Sequence, residues 1–126
     1  MCGIIAVLQR RSDRPAPPIR DLLDLAERAD RAFGERPDLA ALQAAGAALG
    51  ELDQRLRGSA GTWTLLQHPD ARITLGERLD QLHARVDAFE RSLDREPATG
   101  APDAAVEARN AALLQLKDCL WAVRCD

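Results

Sequence analysis

The sequence has no tyrosine, two phenylalanines and two tryptophans among its 126 residues. Aromatic and β-branched side chains are what pleated, half-buried strands favour, so a chain poor in aromatics and rich in alanine and leucine has a helical composition. Cysteine is scarce as well. Cys2, Cys119 and Cys125 make an odd number with no framework spacing, which fits a reducing, cytoplasmic setting better than a secreted fold. No stretch approaches the roughly 20 apolar residues that a bilayer crossing needs. The apolar run at the start is too short for a signal peptide, and its arginines, Arg10 and Arg11, lie on the wrong side of it.

Charge of one sign is missing too. Seventeen basic and twenty acidic residues give a formal charge of −3, with both signs interleaved. Nothing concentrates the positive field that phosphate backbones demand, so neither a nucleic acid nor a membrane is an expected partner. There is no phosphate-binding glycine loop, no metal-binding histidine pair and no Ser-His-Asp candidate, so neither a cofactor nor a metal is expected. His68 precedes Pro69 in what reads as a surface turn, and His83 borders an apolar seam without a second ligand. Cys119 and Cys125 are six residues apart, on opposite sides of a helix, and no further zinc ligands accompany them.

What is present is helical periodicity punctuated by proline and glycine. A first helix is predicted from Pro18 to Phe33, with Ile19, Leu22, Leu23, Ala26, Ala29 and Phe33 on one face and Gly34 as its stop. A second runs from Pro37 to Arg57 with Leu39, Leu42, Gly46, Leu49, Leu52 and Leu56 facing inward. Gly58-Ser59-Ala60-Gly61 reads as a break, followed by one or two turns carrying Trp63, Leu65 and Leu66. A third helix, from Pro69 or Asp70 to Arg95, has the clearest pattern. Leu75, Leu79, Leu82, Val86, Phe89 and Leu93 form a heptad seam against a charged face. After a loop from Glu96 to Asp103, a fourth helix places Val106, Leu113, Leu116, Leu120 and Val123 on one face, with Asn110 interrupting it. Trp121 is expected in a core or an interface. The expected fold is therefore mainly α, an antiparallel bundle of about four helices over residues 19–126. Residues 11–18, with Arg10, Arg11 and Arg14 nearby and three prolines, read as a linker.

Ahead of the linker lies the one stretch where residue type and position together suggest chemistry. Ile4 to Leu8 is wholly apolar and rich in β-branched residues, so residues 1–10 read as one short N-terminal β-strand. Removing Met1 would leave Cys2 with both a thiol and a free α-amine. The amine, with a pKa of roughly 7.7 to 8.0, can take a proton as a thiol of pKa roughly 8.5 attacks. Such an N-terminal nucleophile carries its own base, and Gly3 lets backbone and substrate approach the sulfur closely.

Cys2-Gly3-Ile4-Ile5-Ala6-Val7 resembles the opening of the class II glutamine amidotransferases, the family of glucosamine-6-phosphate synthase. The resemblance covers about ten residues. It implies that Cys2 is the catalytic nucleophile, attacking the side-chain amide of glutamine, forming a glutamyl thioester and releasing ammonia for a second domain. It also implies a strand-rich continuation, an arginine for the substrate carboxylate and an Asn-Gly pair for the oxyanion. This chain departs there, because its only asparagine, Asn110, precedes Ala111, and Ala6 stands where glycine is more familiar. The helices then read as an insertion within the N-terminal part of a longer protein, and Leu120 to Asp126, which stops in a helical pattern without a cap, agrees. The alternative is a non-catalytic helical module whose seams, above all Leu79 to Leu93, pair with a helical partner or with a second copy.

Overall fold

The computed structural model describes residues 13–96 and 104–125, and the expected strand with Cys2 lies outside them. The described residues form five helices: α1 Ile19–Phe33, α2 Leu39–Leu56, α3 Gly58–Gln67, α4 Pro69–Asp94 and α5 Ala104–Cys125.

The boundaries follow from local chemistry. The Pro18 carbonyl accepts from the Asp21 and Leu22 amides at the start of α1, where proline's missing N–H costs nothing. Gly34 ends α1 at φ 63°, and its N–H bonds the Asp30 carbonyl. That left-handed conformation favours glycine. α2 begins at Leu39 rather than Pro37, because the Asp38 carboxylate caps it by accepting the Ala41 amide at 2.8 Å. Pro69 opens α4 at its first turn.

The stretch expected to interrupt the pattern is itself helical. Gly58, at φ 79°, lets the chain turn from α2 into the ten residues of α3 with Arg57 as the sole joint. Glycine's cost in a helix, about 1 kcal/mol, is outweighed at Gly61 by proximity. A Cβ there would fall 2.1 Å from the Leu56 carbonyl oxygen, so only glycine lets α3 fold back on the end of α2.

Cross-helix pairs give the topology. Arg55 meets Asp21 and Arg28 meets Glu51, so α1 and α2 are antiparallel. Lys117 meets Glu90 and Arg124 meets Asp80, so α4 and α5 are antiparallel as well. Between these hairpins the directions agree. Glu27 pairs with Arg78, Asp30 with Arg85 and Phe33 with Phe89 along parallel α1 and α4, while Gly46 and Gly50 of α2 approach Leu116 and Cys119 of parallel α5. The bundle is thus two antiparallel hairpins side by side, with α3 as the crossover. The α2–α5 and α1–α2 pairings are the most extensive.

The core takes the expected faces with a few changes. Leu22, Leu42, Leu49, Leu52, Leu82, Val86, Leu116 and Leu120 are fully enclosed. Leu25 is buried although it lies off the expected face of α1, because α1 is gripped by both α2 and α4. On α4 the seam from Leu75 to Val86 is buried and Phe89 and Leu93 are partly so, which consumes the expected pairing seam within the chain. Asn110 does not interrupt the core. It is exposed, one step round α5 from the buried Leu113.

Candidate functional site

Cys2, the predicted nucleophile, lies outside the described residues, which begin at Asp13. Its path from there is fixed by two anchors. The Arg14 guanidinium donates to the carbonyls of Arg55 and Arg57, each at 2.9 Å, where the last carbonyls of α2 lack helical partners and the helix dipole favours a cation. Farther along, the buried Thr64 hydroxyl of α3 donates to the Pro17 carbonyl at 2.8 Å. The segment read from sequence as a linker is therefore tied to the corner where α2 meets α3, and Arg14 is occupied by backbone oxygens.

The nearest approach to thiol chemistry among the described residues is at Cys119. Its sulfur would lie 3.8 Å from a Cβ at Gly50, in the α2–α5 contact. Burial pushes the thiol pKa up, and the carboxylates of Asp53 and Asp118 push it further. Asp53 is itself buried. One of its oxygens pairs with Arg57 at 2.7 Å, and the other, Oδ1, has no hydrogen-bond partner among the described residues. A negative group beside a half-buried thiol disfavours the thiolate, so Cys119 is held in the inert form, opposite to what a nucleophile requires.

The two histidines have local work. His68 bonds the Thr64 carbonyl through Nδ1 at 3.0 Å at the α3–α4 joint, and His83 sits 3.2 Å from Asp87 one turn along α4. Among the described residues no three His, Cys, Asp or Glu side chains gather as metal ligands, and no helix is long and apolar enough to cross a membrane.

The described residues form several surface grooves. One lies along α1 between Asp24, Glu27, Arg28 and Arg31. A second lies at the α2–α3 corner by Leu56, Arg57, Gly58 and Thr62. A third, of about 350 Å³, separates α4 from α5 and is lined by Glu90, Leu93, Asp94, Asn110, Leu113, Leu114 and Lys117. None of these three brings a thiol or hydroxyl beside a base.

Trp121 is 70% exposed, which removes it from the core, and Trp63, Leu66, Ile73 and Leu114 are likewise more than half exposed. Sequence reasoning missed that Trp63 and Leu66 point outward. The spacing of α3 around Leu65 and Thr64 carried the signal, since an i, i+3 pair occupies one stripe while its neighbours face the bundle. Apolar side chains presented this way can dock a surface. No protein-family model, curated protein or solved structure matches the chain.

Proposed function

We propose that the chain is the opening part of a glutamine amidotransferase-like protein of the glucosamine-6-phosphate synthase kind, in which Cys2 attacks the glutamine side-chain amide and the helical bundle is an inserted unit. The observation that carries this is the run Cys2-Gly3-Ile4-Ile5-Ala6-Val7. Once Met1 is removed, that run puts an amine and a thiol on one residue, so the sulfur's proton passes to the residue's own nitrogen as the carbon–sulfur bond forms. The oxyanion and substrate-carboxylate contacts then belong to sequence outside this chain, and the bundle holds Arg14 and Pro17 of the segment that follows the N-terminal stretch.

The test is release of ammonia and glutamate from glutamine by the protein expressed as its complete native reading frame. Replacing Cys2 with serine should reduce that release to background while the bundle's melting is unchanged. Release that survives Cys2→Ser would sink the reading.

A second reading, a non-catalytic interaction module, is favoured by the exposed Trp63, Leu66 and Ile73 on α3 and the first turns of α4. Unpartnered apolar side chains of this size usually mark a contact surface when they cluster. An unaltered reaction in the Cys2→Ser protein, together with loss of a bound partner on Trp63→Ala, would favour it over the first.

A further inference from the structure

Among the described helices only α3 has no charged side chain. Its ten residues hold no Asp, Glu, Lys or Arg, in a chain of which 29% is charged. The inner side, Ala60, Gly61 and Thr64, is buried against the bundle. On the opposite side Trp63 and Leu66, three residues apart on one stripe, are 57% and 60% exposed. An uncharged helix that turns large apolar side chains outward presents a contact surface.

What can reach that surface is set by where the chain enters the corner. The carbonyls of Arg55 and Arg57 hold Arg14, each at 2.9 Å. Arg57 also lines, with Leu56, Gly58 and Thr62, the groove where α2 meets α3, so the residues before Arg14 depart from the rim of that groove. Thr62 stands one helical turn from Leu66, which makes the groove continuous with the exposed pair.

The residues before Arg14 include another uncharged apolar stretch, Ile4-Ile5-Ala6-Val7-Leu8. Leu8 precedes Arg14 by six positions and Ile4 by ten, and a chain of that length spans about 12–19 Å on average. From Arg57 to Trp63 and Leu66 is about 9 and 14 Å along the helix. A tether matched to its span holds its end at an effective concentration on the order of millimolar. A second copy at micromolar concentration competes poorly with that, which selects an occupant from the same chain.

We propose that the run from Ile4 to Leu8 turns back from the Arg14 anchor and covers the outer face of α3, setting its isoleucine and valine side chains against Trp63 and Leu66. α3 is then packed on both sides, by α2 and α4 within and by the N-terminal run without. This accounts for an uncharged helix at a surface corner, and it is independent of whether Cys2 reacts.

Nuclear Overhauser contacts in the whole chain give the first test. The sequence has four isoleucines, Ile4, Ile5, Ile19 and Ile73, and two tryptophans, so methyl labelling of isoleucine in a Trp121→Phe background makes a contact to the Trp63 ring assignable. Contacts from Ile4 or Ile5 are expected, equally strong at micromolar and millimolar protein. Acrylamide quenching of Trp63 in the same background is the second readout. Ile5→Asp combined with Val7→Asp should raise the quenching constant roughly twofold and shift the emission to the red, because apolar cover is what excludes water from the ring. Leu114→Asp, at an exposed position of α5, should change neither. The first readout leaves the run itself unaltered, so it decides the matter even where the double variant fails to fold. Absence of any contact from Ile4 or Ile5 to the ring, shielding of Trp63 that grows with protein concentration, or quenching indifferent to the double substitution would each overturn the proposal. The second result would give the face to another copy of the chain, and the third would leave it to a different protein.

Discussion

Gly61→Ala and Gly46→Ala are the same chemical change in two helices, and the structure assigns them opposite signs. Each adds one methyl and removes glycine's helical penalty, worth about 1 kcal/mol in favour of the variant. At Gly46 the added Cβ meets Leu116 Cα at 3.8 Å, an ordinary contact, so the propensity gain survives and Gly46→Ala should be neutral or more stable by up to about 1 kcal/mol. At Gly61 the Cβ would lie 2.1 Å from the oxygen and 2.4 Å from the carbon of the Leu56 carbonyl. Those are backbone atoms in the last turn of α2, so relief requires swinging α3 away. That would release Ala60 and Thr64 from their buried positions and break the bond between Thr64 and Pro17. Overpacking of this kind costs about 1–3 kcal/mol and occasionally more. With the propensity gain offset and the Thr64 hydrogen bond broken, Gly61→Ala should be less stable by about 2–3 kcal/mol. For a chain of this length that is a fall in Tm of about 6–15 °C. Far-ultraviolet circular dichroism during heating reads both variants. A Gly61→Ala protein melting within about 2 °C of the parent would refute the close α2–α3 joint, and with it the path of the anchored segment.

Leu116 is fully enclosed opposite Gly46, so Leu116→Ala should cost about 3–4 kcal/mol in urea unfolding, with little change expected if α5 packed elsewhere. Arg85 bonds Asp30 and the Gly34 carbonyl and lies 5.3 Å from the centre of the Phe33 ring. Arg85→Ala should therefore cost about 1–2 kcal/mol by the same assay, and Arg85→Lys most of that cost, since lysine lacks the guanidinium fork. Cys119 holds its proton above the ordinary 9.0, mainly through burial, and Lys117 above 10.5, mainly through its bond to Glu90. Both folded-state values are raised. Their stabilisation is complete below the unfolded values and declines as pH rises through the folded ones, so urea midpoints should drop above pH 9 while remaining flat with respect to these two groups below it. Alkylation followed by peptide mapping should find Cys119 slower to react in the folded protein than in urea.

The helices of the bundle were legible because apolar residues recur with the helical period, and the seam of α4 was clearest since its intervening positions are charged. The limits came where two signals conflicted. Gly58 and Gly61 read as breakers by propensity, yet Gly58 supplies a positive φ and Gly61 a close approach, neither of which has a periodic signature. Leu25 was missed because a helix with two neighbours buries a wider stripe than one face. Asn110 was placed on the α5 seam by spacing from Val106, but four residues carry the helix about 40° past a full turn, away from the stripe of Leu113 and Leu116, which leaves it facing outward. Nor could sequence show that Arg14 caps α2, since that bond joins residues 41 and 43 positions apart. The strand reading and Cys2 rest on composition and position, and the described residues begin after them.

The central claim is most directly met by mass spectrometry of the protein expressed as its complete native reading frame, before and after treatment with an electrophilic glutamine analogue. The account predicts that Met1 is absent and that a single adduct maps to Cys2 and is suppressed by excess glutamine. Retained Met1, or labelling that spreads to Cys119 and Cys125 and ignores glutamine, would contradict it.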